Sequence, residues 1–240
     1  LHVIQEYEKT YDNVILLDRK QKQGPGRARN FALDKARGKY VFFLDGDDYI
    51  SPSALETVYK KAISTTADVV AYNFSLVPWD DGHGSTLGQR KDFPKLTTDT
   101  TRFLRNFLSG EIDGSVIFSL VRREIIETNN IRFAPGLHED IPFIFQVYYF
   151  SETMARIDEI LYFKVLRSGS IVHTLSQARI DGLLDAWREN MNFLQRKLGV
   201  AADQYYSDYM RGLVGCVGGL LQRTLTLHSE NVAERQNVYT

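Results

Sequence analysis

The sequence predicts an α/β fold: a mostly parallel central sheet flanked by helices, with a helical appendage at the C-terminal end. Three observations carry this. Tyr40-Val41-Phe42-Phe43-Leu44 is a continuous apolar run, the pattern of a strand buried on both faces. Apolar strand-length runs alternate with segments of helical spacing from Asn13 to Phe74, which argues for layered α/β architecture. From Ser176 onward only helical periodicity remains.

Taken in order, Leu1–Thr10 reads as the end of an amphipathic helix and Asn13–Leu17 as a short strand. Asp18–Gly26 is a basic, glycine-bearing loop. Arg27–Arg37 has helical spacing, with Ala28, Phe31, Ala32 and Ala36 on one face, Leu33 beside it and Gly38 as its stop. Tyr40–Leu44 is the central strand. Pro52–Ser64 is a helix entered through Ser51-Pro52, and Asp68–Phe74 is the next strand. Val77–Thr98 is polar, with Pro78, Trp79, Asp80, Asp81, His83 and three glycines, and a loop of that length is usually functional or disordered. Thr100–Leu108 is a helix, Val116–Val121 a strand and the stretch through Glu127 a short helix. Asn129–Leu137 is a loop. Ile141–Phe150 is a buried helix with Pro142 in its first turn. Ile160–Val165 is a strand, and Gln177–Leu198 and Asp203–His228 are helices.

The bulk numbers narrow the function classes. The chain has 240 residues, 43% hydrophobic and 25% charged, which is ordinary globular composition. A formal net charge of −1 gives no electrostatic case for nucleic acid. The single cysteine excludes an intrachain disulfide framework and a multi-cysteine zinc site. Its longest fully apolar run is far shorter than the ~20 residues a membrane span needs.

Four stretches hold the chemistry. In Asp45-Gly46-Asp47-Asp48 three carboxylates surround a glycine at the end of the central strand, where ligands of open α/β sheets bind. If the extended geometry persists past the strand, Asp45 and Asp47 point the same way and share one hard cation, Mg²⁺ or Mn²⁺. A strand–turn–helix connection explains much of the same stretch without a metal. Gly24-Pro25-Gly26-Arg27-Ala28-Arg29-Asn30 runs a flexible loop into a helix N-terminus, where N–H groups and arginine meet an anion. Glu139-Asp140 precedes the apolar helix and doubles as a helix cap. Arg167-Ser168-Gly169-Ser170 offers a phosphate contact or a plain turn.

Together, Ala28-Arg29-Asn30 followed about fifteen residues later by a strand ending in Asp45-Gly46-Asp47-Asp48 resembles family 2 glycosyltransferases of the GT-A fold, a Rossmann-related architecture. Gly46 stands where that family usually has Ser. The resemblance is strong over roughly Asn13–Phe74 and weaker to Ser170. It implies a GT-A domain over 1–175 and a helical segment over 176–240. It implies Asp47 as the main metal ligand, with Asp45 on the ribose or the metal; His173 is a candidate for a further metal or phosphate contact, beside the plain reading of a structural histidine. It implies Arg29, Asp45, Arg167 and Ser170 on the donor. Asp140, with Glu139 beside it, would be the general base on the acceptor hydroxyl.

Also implied are a nucleotide-diphosphate sugar donor, a carbohydrate or lipid-linked acceptor, inversion at the anomeric carbon and Mn²⁺ or Mg²⁺ as cofactor. A cytoplasmic location, at the inner face of a membrane, goes with glycan or surface polysaccharide synthesis. The family's opening strands, which grip the nucleotide base, have no match here, so a truncated N-terminus is expected. Two rivals stand beside this reading. A nucleotidyltransferase also pairs acids with a metal but needs no base near an acceptor. A non-catalytic carbohydrate-binding domain fits the missing base pocket.

Overall fold

The computed structural model describes residues 2–18, 23–78, 86–88, 93–166 and 176–237. Helix α1 (His2–Thr10) opens the chain and buries none of its residues; Val3, Ile4 and Tyr7 are exposed. The expected strand at Asn13–Leu17 is instead irregular. Its apolar run has no ladder partner among the described residues, and a strand exists only through its pairing.

Helix α2 (Pro25–Leu33) starts at Pro25, whose missing N–H costs nothing at the first helical position. It ends at Asp34, short of the expected Arg37. Its inward face is not the alanine face expected. Gly26 and Leu33 are buried, Arg29 and Asn30 half-buried, and Ala28 and Ala32 exposed.

Strand β1 (Tyr40–Phe42) leads to the acidic turn, and β2 (Tyr49–Ile50) follows it. Helix α3 (Ala54–Thr65) ends at Thr66 in the left-handed region, φ 52°. Strand β3 (Val69–Pro78) is the buried spine, with Val69, Val70, Ala71 and Tyr72 wholly covered. Short strands β4 (Thr86–Gly88) and β5 (Leu96–Thr97) lie within the polar stretch, and α4 (Thr100–Leu108) follows. Val116–Phe118 forms a 3-10 turn rather than strand and delivers β6 (Ser119–Arg122). Then come α5 (Arg123–Thr128), α6 (Asp140–Phe150) and the long β7 (Met154–Leu166). Helices α7 (Gln177–Leu198) and α8 (Tyr206–Asn237) close the chain.

The sheet runs β1-β6-β3-β7-β2, with β4 on β3 and β5 on β7. Its longest ladder, β3 with β7, is parallel, and shorter antiparallel strands extend it on both sides. The sheet is therefore mixed. β1 pairs only with β6 among the described residues, so it lies at the described sheet's edge and not, as its apolar run suggested, in the middle. Its residues are half-buried.

Three aromatic rings fix the geometry that matters. Phe133 and Phe143 stack at 3.8 Å between centroids, and Phe43 meets both edge-on at 5.5 and 5.8 Å. These rings lock together the end of β1, the loop before α6 and α6 itself. Each buried ring contributes about 1.5–3 kcal/mol. Further out, α7 packs on α6 through Phe193, which meets Phe145, Tyr149 and Phe150. No helix among the described residues is long and apolar enough to cross a membrane.

Helix α8 crosses α4 at a glycine for a steric reason. A Cβ on Gly212 would stand 2.0 Å from the Leu108 carbonyl oxygen and 2.7 Å from the Trp187 ring. Backbone cannot yield as a side chain does, so Gly212→Ala is expected to destabilise by about 1–3 kcal/mol, against a helix-propensity gain of only about 1 kcal/mol. The check is a melt followed by near-ultraviolet circular dichroism. A variant that melts at or above the parent temperature would mean that α8 does not pack here.

Candidate active site

The acidic turn is built by a hydrogen bond and a tyrosine. The Asp48 N–H donates to the Asp45 carbonyl at 3.1 Å, so the chain turns at Gly46-Asp47. The extended geometry stops at Asp45, and the argument that Asp45 and Asp47 share one direction by strand alternation does not hold. Asp48 is structural: its carboxylate accepts from the Tyr162 hydroxyl at 2.6 Å and the Val165 N–H at 2.8 Å. The Tyr162 oxygen also accepts the Asp45 N–H at 3.2 Å. Burial, together with the hydrogen bond to Asp48, pushes the Tyr162 phenol pKa far up, so it stays a neutral donor. Asp47 is left exposed at the tip of the turn.

The glycine-rich segment is organised around Arg29. Asn30 brackets the backbone of Phe133, donating to its carbonyl and accepting its N–H, both at 2.9 Å. This docks α2 on the loop before α6. Gly26 permits the approach, because a Cβ there would lie 2.8 Å from the Glu139 side chain. The Arg29 guanidinium then lies 5.4 Å from the Phe133 ring centroid and reaches three carboxylates. Nη2 donates to Asp45 at 2.8 Å, Nη1 donates to Glu139 at 3.1 Å, and Nη1 lies 3.7 Å from Asp140. Residues some ninety-five positions apart in sequence meet on one side chain. Burial opposes charge on Arg29, but Asp140, Asp45 and Glu139 outweigh it and raise its pKa.

Glu139 is buried, 6% exposed, and sits at the N-cap position of α6 without capping it; its side chain turns to Arg29 instead. The helix-cap explanation of this residue therefore fails. Asp140 is the first residue of α6, half-buried. His138, before them, takes φ 61°, and burial with the nearby Arg179 charge lowers its pKa, so it is neutral near pH 7.

Burial first, then the neighbouring Asp140, raise the Glu139 pKa above its ordinary value. The folded chain thus holds that proton more tightly than the unfolded chain. The stability this contributes is full below the unfolded pKa and is lost as pH rises through the folded one. Glu139→Gln does not titrate, so its melting temperature minus that of the parent should grow as pH rises above the ordinary glutamate value of about 4.3. Parallel melting curves across that range would contradict the raised pKa.

Of the residues expected at the site, Asp45, Glu139, Asp140 and Arg29 converge, and Asp47 is in the adjoining turn. Arg167, Ser170 and His173 lie outside the described residues, as do Trp79, Asp80, Asp81 and His83. Gly26 and Asn30, inside the glycine-rich segment, shape the site by packing and docking, and Tyr162 shapes it without having been singled out. The one sequence signal was a tyrosine in an apolar strand, which usually finds a partner for its hydroxyl. Among the described residues, no three His, Cys, Asp or Glu groups gather in a metal cage. Mg²⁺ and its kin instead take one or two carboxylates and complete their shell with substrate phosphates and water. An exposed Asp47 two residues beyond Asp45 fits that kind of site.

Residues 1–129 match the profile of Glycosyl transferase family 2, more than half of the chain. The chain belongs to this family. It is 27% identical over 190 residues to a cholesterol galactosyltransferase of Borreliella burgdorferi, covering 73% of this chain and 51% of that protein. It is 27% identical over 209 residues to the glycosyltransferase GlyA of Streptococcus pneumoniae, covering 84% of this chain and 30% of GlyA. The chain thus spans about half or less of these relatives. Among solved structures, S. aureus TarS in complex with UDP-GlcNAc matches with a TM-score of 0.65 at 23% identity, over 90% of this chain and 61% of that one. The fold is GT-A-like.

Proposed function

We propose that the protein transfers a sugar from a nucleotide-diphosphate sugar to an acceptor hydroxyl, with inversion, in glycan synthesis. One observation supports this above the others: Arg29 holds the acidic turn and the Glu139-Asp140 pair together at the end of β1. An acidic turn suits the donor diphosphate only through a cation, and a second carboxylate beside it suits a general base. In the reaction the acceptor oxygen bonds to the anomeric carbon as its proton passes to Asp140. The bond from that carbon to the diphosphate breaks, and its electron pair leaves with the diphosphate. Asp47, with Asp45, would hold Mn²⁺ or Mg²⁺, which when bound offsets charge on the leaving diphosphate. Arg29 and Glu139 position Asp140 and the turn rather than react.

A nucleotidyltransferase reading loses its footing, because family membership and a second carboxylate pair brought beside the acidic turn both favour sugar transfer. A peripheral role at a cytoplasmic membrane face accompanies a lipid-linked acceptor. The test is donor hydrolysis by the full-length protein across a panel of nucleotide sugars, with and without Mn²⁺ and Mg²⁺. Release of nucleotide diphosphate from at least one donor, dependent on the cation, is expected. Binding of a sugar nucleotide with no turnover of any donor would leave only a carbohydrate-binding role.

A further inference from the structure

A cavity of about 330 Å³ opens between the loop before α6 and the polar face of α7. Its size is at the small end of ligand pockets, about 300–1,000 Å³. Glu139 is one of its lining residues, and the Glu139 side chain reaches Arg29. Asp140 is the next residue. The proposed base therefore lies one residue along the chain from the cavity wall.

The lining is of two kinds. Pro135, Leu137 and Pro142 supply apolar surface from the loop and the start of α6. Asp185, Glu189 and Asn192 supply polar groups from α7. Arg188 is there too, but it is ion-paired to Asp185, and Glu189 is paired to Arg196. The one guanidinium in this wall is already paired to Asp185, which leaves an anionic occupant without an uncompensated positive partner in the lining. An apolar face opposite hydrogen-bonding groups is what a sugar ring needs, with its C–H face on one side and hydroxyls on the other. Gly182 holds the two walls together: a Cβ there would stand 3.0 Å from Leu137, so α7 rides directly on the loop.

We propose that this cavity binds the acceptor as a neutral glycoside, and that Glu189 and Asn192 of α7 select it. The inference rests on the transfer reaction proposed above. It makes α7 part of the acceptor site, and it commits to an uncharged sugar ring rather than a phosphorylated polyol.

The experiment uses the full-length protein and ligand-observed saturation-transfer NMR. The probes are the methyl α- and β-glycosides of glucose, galactose and N-acetylglucosamine, with glycerol 3-phosphate as the anionic comparator. At least one glycoside should bind in preference to glycerol 3-phosphate. Asn192→Trp fills the cavity and should abolish that signal. Glu189→Gln keeps the shape, and loss of a charged hydrogen-bond acceptor should raise Kd about tenfold or more. Two variants guard against one failing to fold, and only those that melt like the parent count. Tighter binding of glycerol 3-phosphate, no glycoside binding, or glycoside binding unchanged in both variants would overturn the proposal. Glycoside binding without donor hydrolysis sinks the reaction but supports the cavity; donor hydrolysis with no glycoside binding does the reverse.

Discussion

Asp140→Asn in the full-length protein is expected to cut turnover by about 10²–10⁴-fold, the usual worth of general-base catalysis, with donor affinity nearly unchanged. Asp140 stands at the head of α6, half-buried, with Arg29 Nη1 at 3.7 Å. That distance is an ion-pair contact and not a tight hydrogen bond. Glu139 and Asp45 make the two close bonds to the same guanidinium, at 3.1 and 2.8 Å. Asp140 is thus oriented by the Arg29 charge without a close hydrogen bond to it, as a base must be if its lone pairs are to reach a substrate proton. Asparagine keeps the size and cannot take the proton. Steady-state kinetics with a separate donor-binding titration makes the check. Turnover within threefold of the parent would remove Asp140 from the reaction.

Asp47→Asn has the other large expected effect: transfer is lost even with Mn²⁺ present, while the melting temperature stays that of the parent. Two physical points separate activity from stability here. Asp47 is exposed at the tip of a turn whose closing bonds come from the Asp48 N–H and the Asp48 carboxylate. A hard cation depends strongly on charge in its oxygen ligands, and an amide oxygen is a poor replacement for a carboxylate. By contrast, Asp48→Asn should act on stability, because that carboxylate accepts two hydrogen bonds from β7. Activity near that of the parent in Asp47→Asn would end the metal assignment.

What the sequence made legible, and what it did not, divides along physical lines. Local pattern revealed the acidic turn, the helix α6 and the buried β3, because each is written in consecutive residues. It overextended α2, since alanines look apolar but Gly26, Asn30 and Leu33 face inward. It misjudged β1, whose apolar run suggested a central strand although its described ladder lies at an edge. The role of Asp48 was hidden because Tyr162 and Val165, its partners, lie more than a hundred positions away. The same holds for Arg29: its motif marked it as an anion contact, but only the fold shows that the anions it meets are the chain's own. Gly26 read as loop flexibility, whereas its buried position beside Glu139 is a matter of packing.

The central claim is that Arg29 makes one site of the acidic turn and the Glu139-Asp140 pair. A double-mutant cycle on thermal stability tests it most directly, with Asp45→Asn and Glu139→Gln made singly and together. Both carboxylates bond to one guanidinium, so removing either changes what the other is worth. The double variant should depart from the sum of the singles by more than about 0.5 kcal/mol, the range for residues sharing a partner. Additivity within about 0.3 kcal/mol would show two independent acids and would contradict the claim.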